Sequence, residues 1–117
     1  MDEGWIYCMS NECMPGLVKV GQTANDPTER ASQLYTTGVP CEFRVEFAKK
    51  VKNYIAREKL LHSLLERHFE RPNTSREFFR CNSDDVYPFF ELMDGVYLED
   101  ADKPDRYNLR RFARRAE

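Results

Sequence analysis

A chain of 117 residues is long enough to bury one modest core without metal or disulfide staples, and holds no second folding unit of ordinary size. With 41% hydrophobic and 13% aromatic residues it is no disordered polymer, while 32% charged residues and the lack of an apolar run of about 18 residues exclude a helical membrane span. The net charge of -2 excludes a uniformly basic nucleic-acid binder, so attraction to a polyanion has to come from a local patch.

The acidic N-terminal stretch MDEGWIYCMS has no basic n-region, which predicts a cytoplasmic or otherwise intracellular protein. Residues 4–9, GWIYCM, and 17–21, LVKVG, are rich in β-formers and flank SNECMPG, whose Asn, Pro and Gly favour a turn. A β-hairpin is expected. Alternation puts Ile6 and Cys8 on one face of the first strand and Tyr7 on the other, and sets Val18 and Val20 opposite Lys19 in the second. Tyr7 and Lys19 can therefore share a face. In NDPTER, Asp26 is placed as N-cap, Pro27 at the first helical position and Glu29 at the third. The helix it starts carries Arg30, Ala31, Leu34 and Tyr35 and stops at TTGVP, with Arg30 beside its buried edge.

CEFRVEFAKKV alternates Phe43, Val45 and Phe47 with charged residues, predicting a third, half-exposed strand. From Asn53 to Glu70 the pattern is helical, with Ile55, Leu61, Leu65 and Phe69 on one stripe. Glu58 falls within about 20° of Leu65 and Phe69 on that stripe, and His62 about 40° from Glu58. An unpaired ionised carboxylate on a buried face is costly, so Glu58 must meet a cation, be protonated or look into a cleft. A salt-bridged core glutamate and a satisfied core histidine are the structural alternatives. RPNTSREFF then breaks the helix and offers Phe78 and Phe79 as a short edge strand. NSDDVYPFFELMDG has Ser83 or Asp84 as cap and Gly95 as stop for a last helix.

Cys8, Cys13, Cys41 and Cys81 contain no C-x-x-C pair and lie far from His62 and His68, which argues for reduced thiols over a zinc site. Residues 84–105 hold eight carboxylates against Lys103 alone, whereas RYNLRRFARRAE has five arginines and one glutamate. Arg110, Arg111 and Arg114 are thus candidate phosphate contacts, or else they pair with the acidic stretch before them. The fold class expected is α/β (α+β), a small three-stranded antiparallel sheet flanked by helices with a C-terminal helical extension. Residues 1–95 form the domain, and 96–117 an acidic linker with an Arg-rich tail.

Trp5-Ile6-Tyr7, Lys19-Val20-Gly21, Arg30 and Glu58 have the order and spacing of the GIY-YIG nuclease superfamily, which the chain resembles over about residues 4 to 80. The TTGVP loop, the Glu58/His62 pair and REFF make it more similar to the compact branch found in phage, viral and fungal open reading frames. The resemblance implies hydrolysis of a DNA phosphodiester by metal-assisted attack of water. Tyr7 would be the general base, Lys19 a cation beside it, Arg30 the stabiliser of developing phosphoryl charge, and Glu58 the ligand of one Mg²⁺ or Mn²⁺. His62 would share the site, and Arg76 and Glu77 would buttress it, with Arg76 also a candidate contact to nucleic acid. Trp5 stands where the family's first glycine would be, Lys19 replaces the second-motif tyrosine, and Leu34 occupies a position where many members have histidine. Asn73 and Asn82 both fit the family's downstream asparagine. An active endonuclease and a catalytically weak or inactive module binding nucleic acid or protein are the two readings this leaves. No domain-sized DNA-reading unit is seen, so specificity would come from a homodimer or a separate DNA-targeting partner.

Overall fold

The computed structural model describes residues 2–99. Its elements are β1 (Glu3–Ser10), β2 (Leu17–Thr23), α1 (Pro27–Leu34), β3 (Arg44–Lys52), α2 (Tyr54–Glu66), β4 (Phe78–Arg80), α3 (Ser83–Phe90) and β5 (Val96–Tyr97). The sheet has five strands, not three, in the order β4-β2-β1-β3-β5, and every pair is antiparallel. Of the two further strands, β4 is the short edge strand expected at Phe78 and Phe79, and β5, of two residues, is too short to leave a periodic signal in the sequence. β5 pairs Val96 with Lys50 and so continues the sheet past residue 95.

The hairpin forms as alternation predicts, with Tyr7 opposite Gly21 and Cys8 opposite Val20. Ile6, Cys8, Val18 and Val20 pack with Leu61 and Leu65 of α2 and Val86 and Phe90 of α3 in the larger core. Tyr7 and Met9 face the other way, against Ala31 of α1 and Ala48 of β3. Burial of these two apolar layers is what holds the sheet between α1 on one side and α2 with α3 on the other.

β3 departs from simple alternation. Cys8 pairs with Phe47 but Met9 with Val45, so Glu46 is an extra residue that the ladder skips. Such a bulge reverses the parity of everything beyond it. Val45 consequently packs in the smaller core and Phe47 in the larger one, where uninterrupted alternation would have kept them together. Two charged residues of β3 are buried as well. Glu46 accepts a hydrogen bond from the Ser10 hydroxyl, and Lys49 donates to the carbonyls of Phe90 and Met93 at the end of α3, a cation placed where helix carbonyls lack partners.

Helix starts follow local chemistry. The Asp26 carboxylate caps α1 by accepting from the Thr28 amide at 2.8 Å, ahead of Pro27 at the first turn. α3 is capped by Asn82, one residue before Ser83 and two before Asp84, and the Asn82 amide donates to the Asp85 carboxylate at 3.0 Å. Cys13 and Cys41 form a disulfide with Cα atoms 5.9 Å apart, which replaces the free thiols expected at these positions. Pairing of β1 with both β2 and β3 brings the hairpin turn beside the loop entering β3, a proximity that a sequence separation of 28 conceals. Cys8 and Cys81 remain free. Among the described residues no helix is long and apolar enough to cross a membrane.

Candidate functional site

The fold gathers its chemistry-bearing side chains over one glycine. A Cβ built on Gly21 would lie 2.5 Å from the Tyr7 hydroxyl oxygen and 2.6 Å from Glu77 Oε1, so these two oxygens occupy the space any other residue would need. That is a physical reason for the glycine in Lys19-Val20-Gly21. Gly21→Ala is expected to displace both side chains and destabilise the fold by about 1–3 kcal/mol, measurable as a lowered Tm.

Glu77 precedes β4, which pairs Phe78 with Lys19. Its backbone carbonyl accepts from the Val20 amide at 2.9 Å, and its Oε1 lies 3.2 Å from Lys19 Nζ. The Lys19 ammonium also sits 5.2 Å from the centre of the Phe78 ring. The cation that acts on Tyr7 is Arg30, from the second turn of α1, whose charge favours the phenolate. Lys19 is instead committed to Glu77. Burial, and after it the Glu77 charge, push the Tyr7 hydroxyl up to about 12 against the opposing pull of Arg30.

Glu58 reaches the same group from the buried side of α2, as its place on the apolar stripe predicts. Ile55 at the head of that stripe is 44% exposed, and Tyr54 beside it packs against the larger core instead. Burial and the facing Glu77 carboxylate raise Glu58 to about 7, with Arg71 and Lys19 pulling the other way. Arg71 is held elsewhere by Glu66 at 2.8 Å, so it faces Glu58 without locking it. The buried Tyr7 hydroxyl and Glu58 Oε2 both lack a well-aligned hydrogen bond among the described residues, although Arg30 approaches the first group and Glu77 the second. Buried polar atoms are rarely left so, and two of them in one group mark it as built for something other than stability.

His62, one turn after Glu58, is spoken for. Its Nε2 lies 2.6 Å from the Val20 carbonyl oxygen, which can only accept, so Nε2 carries the proton. Burial holds the ring's pKa below its ordinary value, and at 3.8 Å from Glu58 Oε2 the neutral imidazole is a neighbour more than an ion-pair partner. His62 therefore positions β2 against α2. Arg76 is exposed in the loop before β4, next to Glu77 in sequence. Arg110, Arg111 and Arg114 lie outside the described residues. The structure thus groups Tyr7, Lys19, Arg30 and Glu58, sets His62 behind them, and brings Glu77 to the centre. The signal for Glu77 was only its place in REFF, beside an aromatic pair.

The group is largely closed. Access lies on the side of Glu77 and Lys19, whose side chains are 32% and 12% exposed. A separate cleft of about 730 Å³ beside the β1–β2 turn includes Glu12, Glu42, Glu46 and Asp84 in its lining, a rim unsuited to a phosphate backbone.

A family model described as the T5orf172 domain matches residues 4–94, which contain every side chain gathered over Gly21. The T5orf172 domain is found in phage and related nuclease-like proteins. No curated protein matches the chain, and no solved structure does.

Proposed function

The chain belongs to the T5orf172 domain family, and on that footing we propose that it is a metal-dependent endonuclease of the GIY-YIG type, hydrolysing a DNA phosphodiester by attack of water. The observation that carries this reading is the pair of buried, unpartnered oxygens, one phenolic and one carboxylate, held beside Arg30 and Lys19. In the reaction the water oxygen bonds to phosphorus as the bond to the leaving oxygen breaks, the proton shed by the water goes to the Tyr7 phenolate oxygen, and the departing alkoxide takes a proton from solvent. Arg30, beside that oxygen, is placed to meet the charge growing on the phosphoryl oxygens with a planar fork of donors. A phosphate entering from the accessible side would meet the Lys19 ammonium on the way.

Glu58 Oε2 fits a divalent cation, because it is a buried carboxylate oxygen with no donor to satisfy it. Mg²⁺ needs few protein ligands and takes the rest of its coordination from water and phosphate. When bound, Mg²⁺ or Mn²⁺ supplies Lewis-acid polarisation of the phosphate and neutralises the carboxylates that raise Tyr7.

The closure of the group and the high pKa of Tyr7 favour one other reading, a module of the same fold that binds nucleic acid or protein without cutting. Incubating the full chain with supercoiled plasmid and Mg²⁺ or Mn²⁺, beside an EDTA control, distinguishes the two. Nicked circles that appear only with the metal are expected. Retardation of intact plasmid on a gel, with no nicking under any divalent ion, would establish the binding module instead. Because none of the residues proposed for the site reads bases, cleavage should be of low sequence specificity unless a second copy or a separate targeting partner is present.

A further inference from the structure

We infer that Glu77 is a second ligand of the cation held by Glu58, and that the Lys19 ammonium keeps its place at Glu77 until that cation arrives. This rests on the metal site proposed above and adds to it a residue from another element of the fold. Three observations converge on it. The Glu58 side chain is 9% exposed and its Oε2 has no hydrogen-bond partner among the described residues, so that oxygen is free to take a cation. Glu77 Oε1 crowds against Gly21 beside the Tyr7 hydroxyl, its backbone carbonyl holds the Val20 amide, and Glu58 Oε2 lies 3.8 Å from the His62 Nε2 that bonds the Val20 carbonyl, so both acids close on the Val20-Gly21 step of β2. Lys19 Nζ, 3.2 Å from Glu77 Oε1, is the cation now nearest to that second carboxylate, and it leaves Glu58 Oε2 unbonded.

Of the two carboxylates, the Lys19 ammonium is bonded to Glu77 alone. An ammonium donates to one acceptor oxygen at a time along each N–H, whereas a divalent cation is coordinated by oxygens from both sides at once. A cation seated between Glu58 and Glu77 would satisfy Oε2 and leave Lys19 free to turn to an incoming phosphate. The carboxylates come from α2 and from the segment leading into β4, so the ion would also tie the sheet edge to the helix.

The test is Mn²⁺ affinity of the full chain, followed by calorimetry and by loss of the free-ion electron paramagnetic resonance signal, with no nucleic acid present. One Mn²⁺ per chain is expected for the wild type. Glu58→Gln and Glu77→Gln should each weaken it at least tenfold. Glu77→Asp keeps the charge but shortens the reach, and should also weaken binding. Lys19→Met, which removes the competitor, should tighten it severalfold. Wild-type affinity in Glu77→Gln, or in Glu77→Asp beside a weakened Glu77→Gln, would show that Glu77 contributes no ligand or only charge, and would overturn the inference. In that case Glu58→Gln still lowering affinity would leave the endonuclease reading standing. Wild-type protein that takes up no Mn²⁺ would overturn both. Lys19→Met carries the test if the Glu77 variants do not fold, since unaltered affinity there would contradict the competition on which the inference depends.

Discussion

Glu58→Gln is expected to lower metal-dependent nicking about a thousandfold while making the metal-free protein more stable at neutral pH. The activity loss follows from removing the charge that would hold the cation, a contribution of several kcal/mol to the barrier. The stability gain follows from the raised carboxyl. Glu58 titrates at about 7 in the folded chain against 4.5 for an ordinary glutamate, so the folded state binds its proton more tightly than the unfolded one. Its contribution to stability is full below about pH 4.5, declines as pH rises, and is lost above about 7. The difference should be about 1–2 kcal/mol after allowance for solvent screening. Thermal melts of the metal-free protein between pH 4 and 8.5 should show a decline in the wild type that Glu58→Gln flattens, since an amide has nothing to titrate. A Glu58→Gln variant that cuts at the wild-type rate would remove the metal assignment.

Tyr7→Phe carries the second large effect. Deleting the one oxygen proposed to accept the water proton should reduce the nicking rate by about 10²- to 10⁴-fold. The same deletion should leave Tm unchanged or raise it, because the hydroxyl is buried without a partner, a condition that costs about 1–3 kcal/mol in a protein interior. A structural tyrosine would behave the other way, losing stability with its oxygen. The pH–rate profile of the wild type gives an independent check. Tyr7 pushed up to about 12 is almost wholly protonated near neutrality, and the base form grows tenfold per pH unit until its pKa is reached. The rate with Mg²⁺ present should therefore climb from pH 6 towards 9, and a flat profile would rule out the phenolate as base. Both substitutions improve the resting fold at the expense of chemistry, as expected of a site held in an unsatisfied state.

Much of this arrangement was legible in the sequence because it lies on elements with strong periods. Alternation along LVKVG and GWIYCM sends Tyr7 and Lys19 to one face, and the structure keeps them there beside Gly21. The 3.6-residue period of α2 singles out Glu58 as the one acid amid leucines, and Asp26-Pro27 marks the start of the helix that delivers Arg30. What escaped has equally physical causes. The extra residue at Glu46 inverts the face of β3 without altering its composition, so no hydropathy pattern betrays it. Glu77 sits before a strand of three residues, where a period of two cannot be counted, and its meeting with Lys19 and Glu58 is a product of topology. Lys19 was legible as a cation on the right face, but not as a cation already given to a partner.

The placement of β4 has a consequence for how the site would respond to its ligands. Tyr7 rides on β1, paired along both sides in the middle of the sheet, whereas Glu77 precedes a three-residue edge strand paired with β2 and tied on its outer side by one bridge from Arg80 to Glu70. Rim segments of this kind open at far lower cost than interior ones. The proposed proton acceptor is thus anchored in the interior of the sheet and the proposed second acid at its margin. Assembly and dispersal of the reactive ensemble can proceed by breathing of one margin, with the scaffold beneath it left undisturbed.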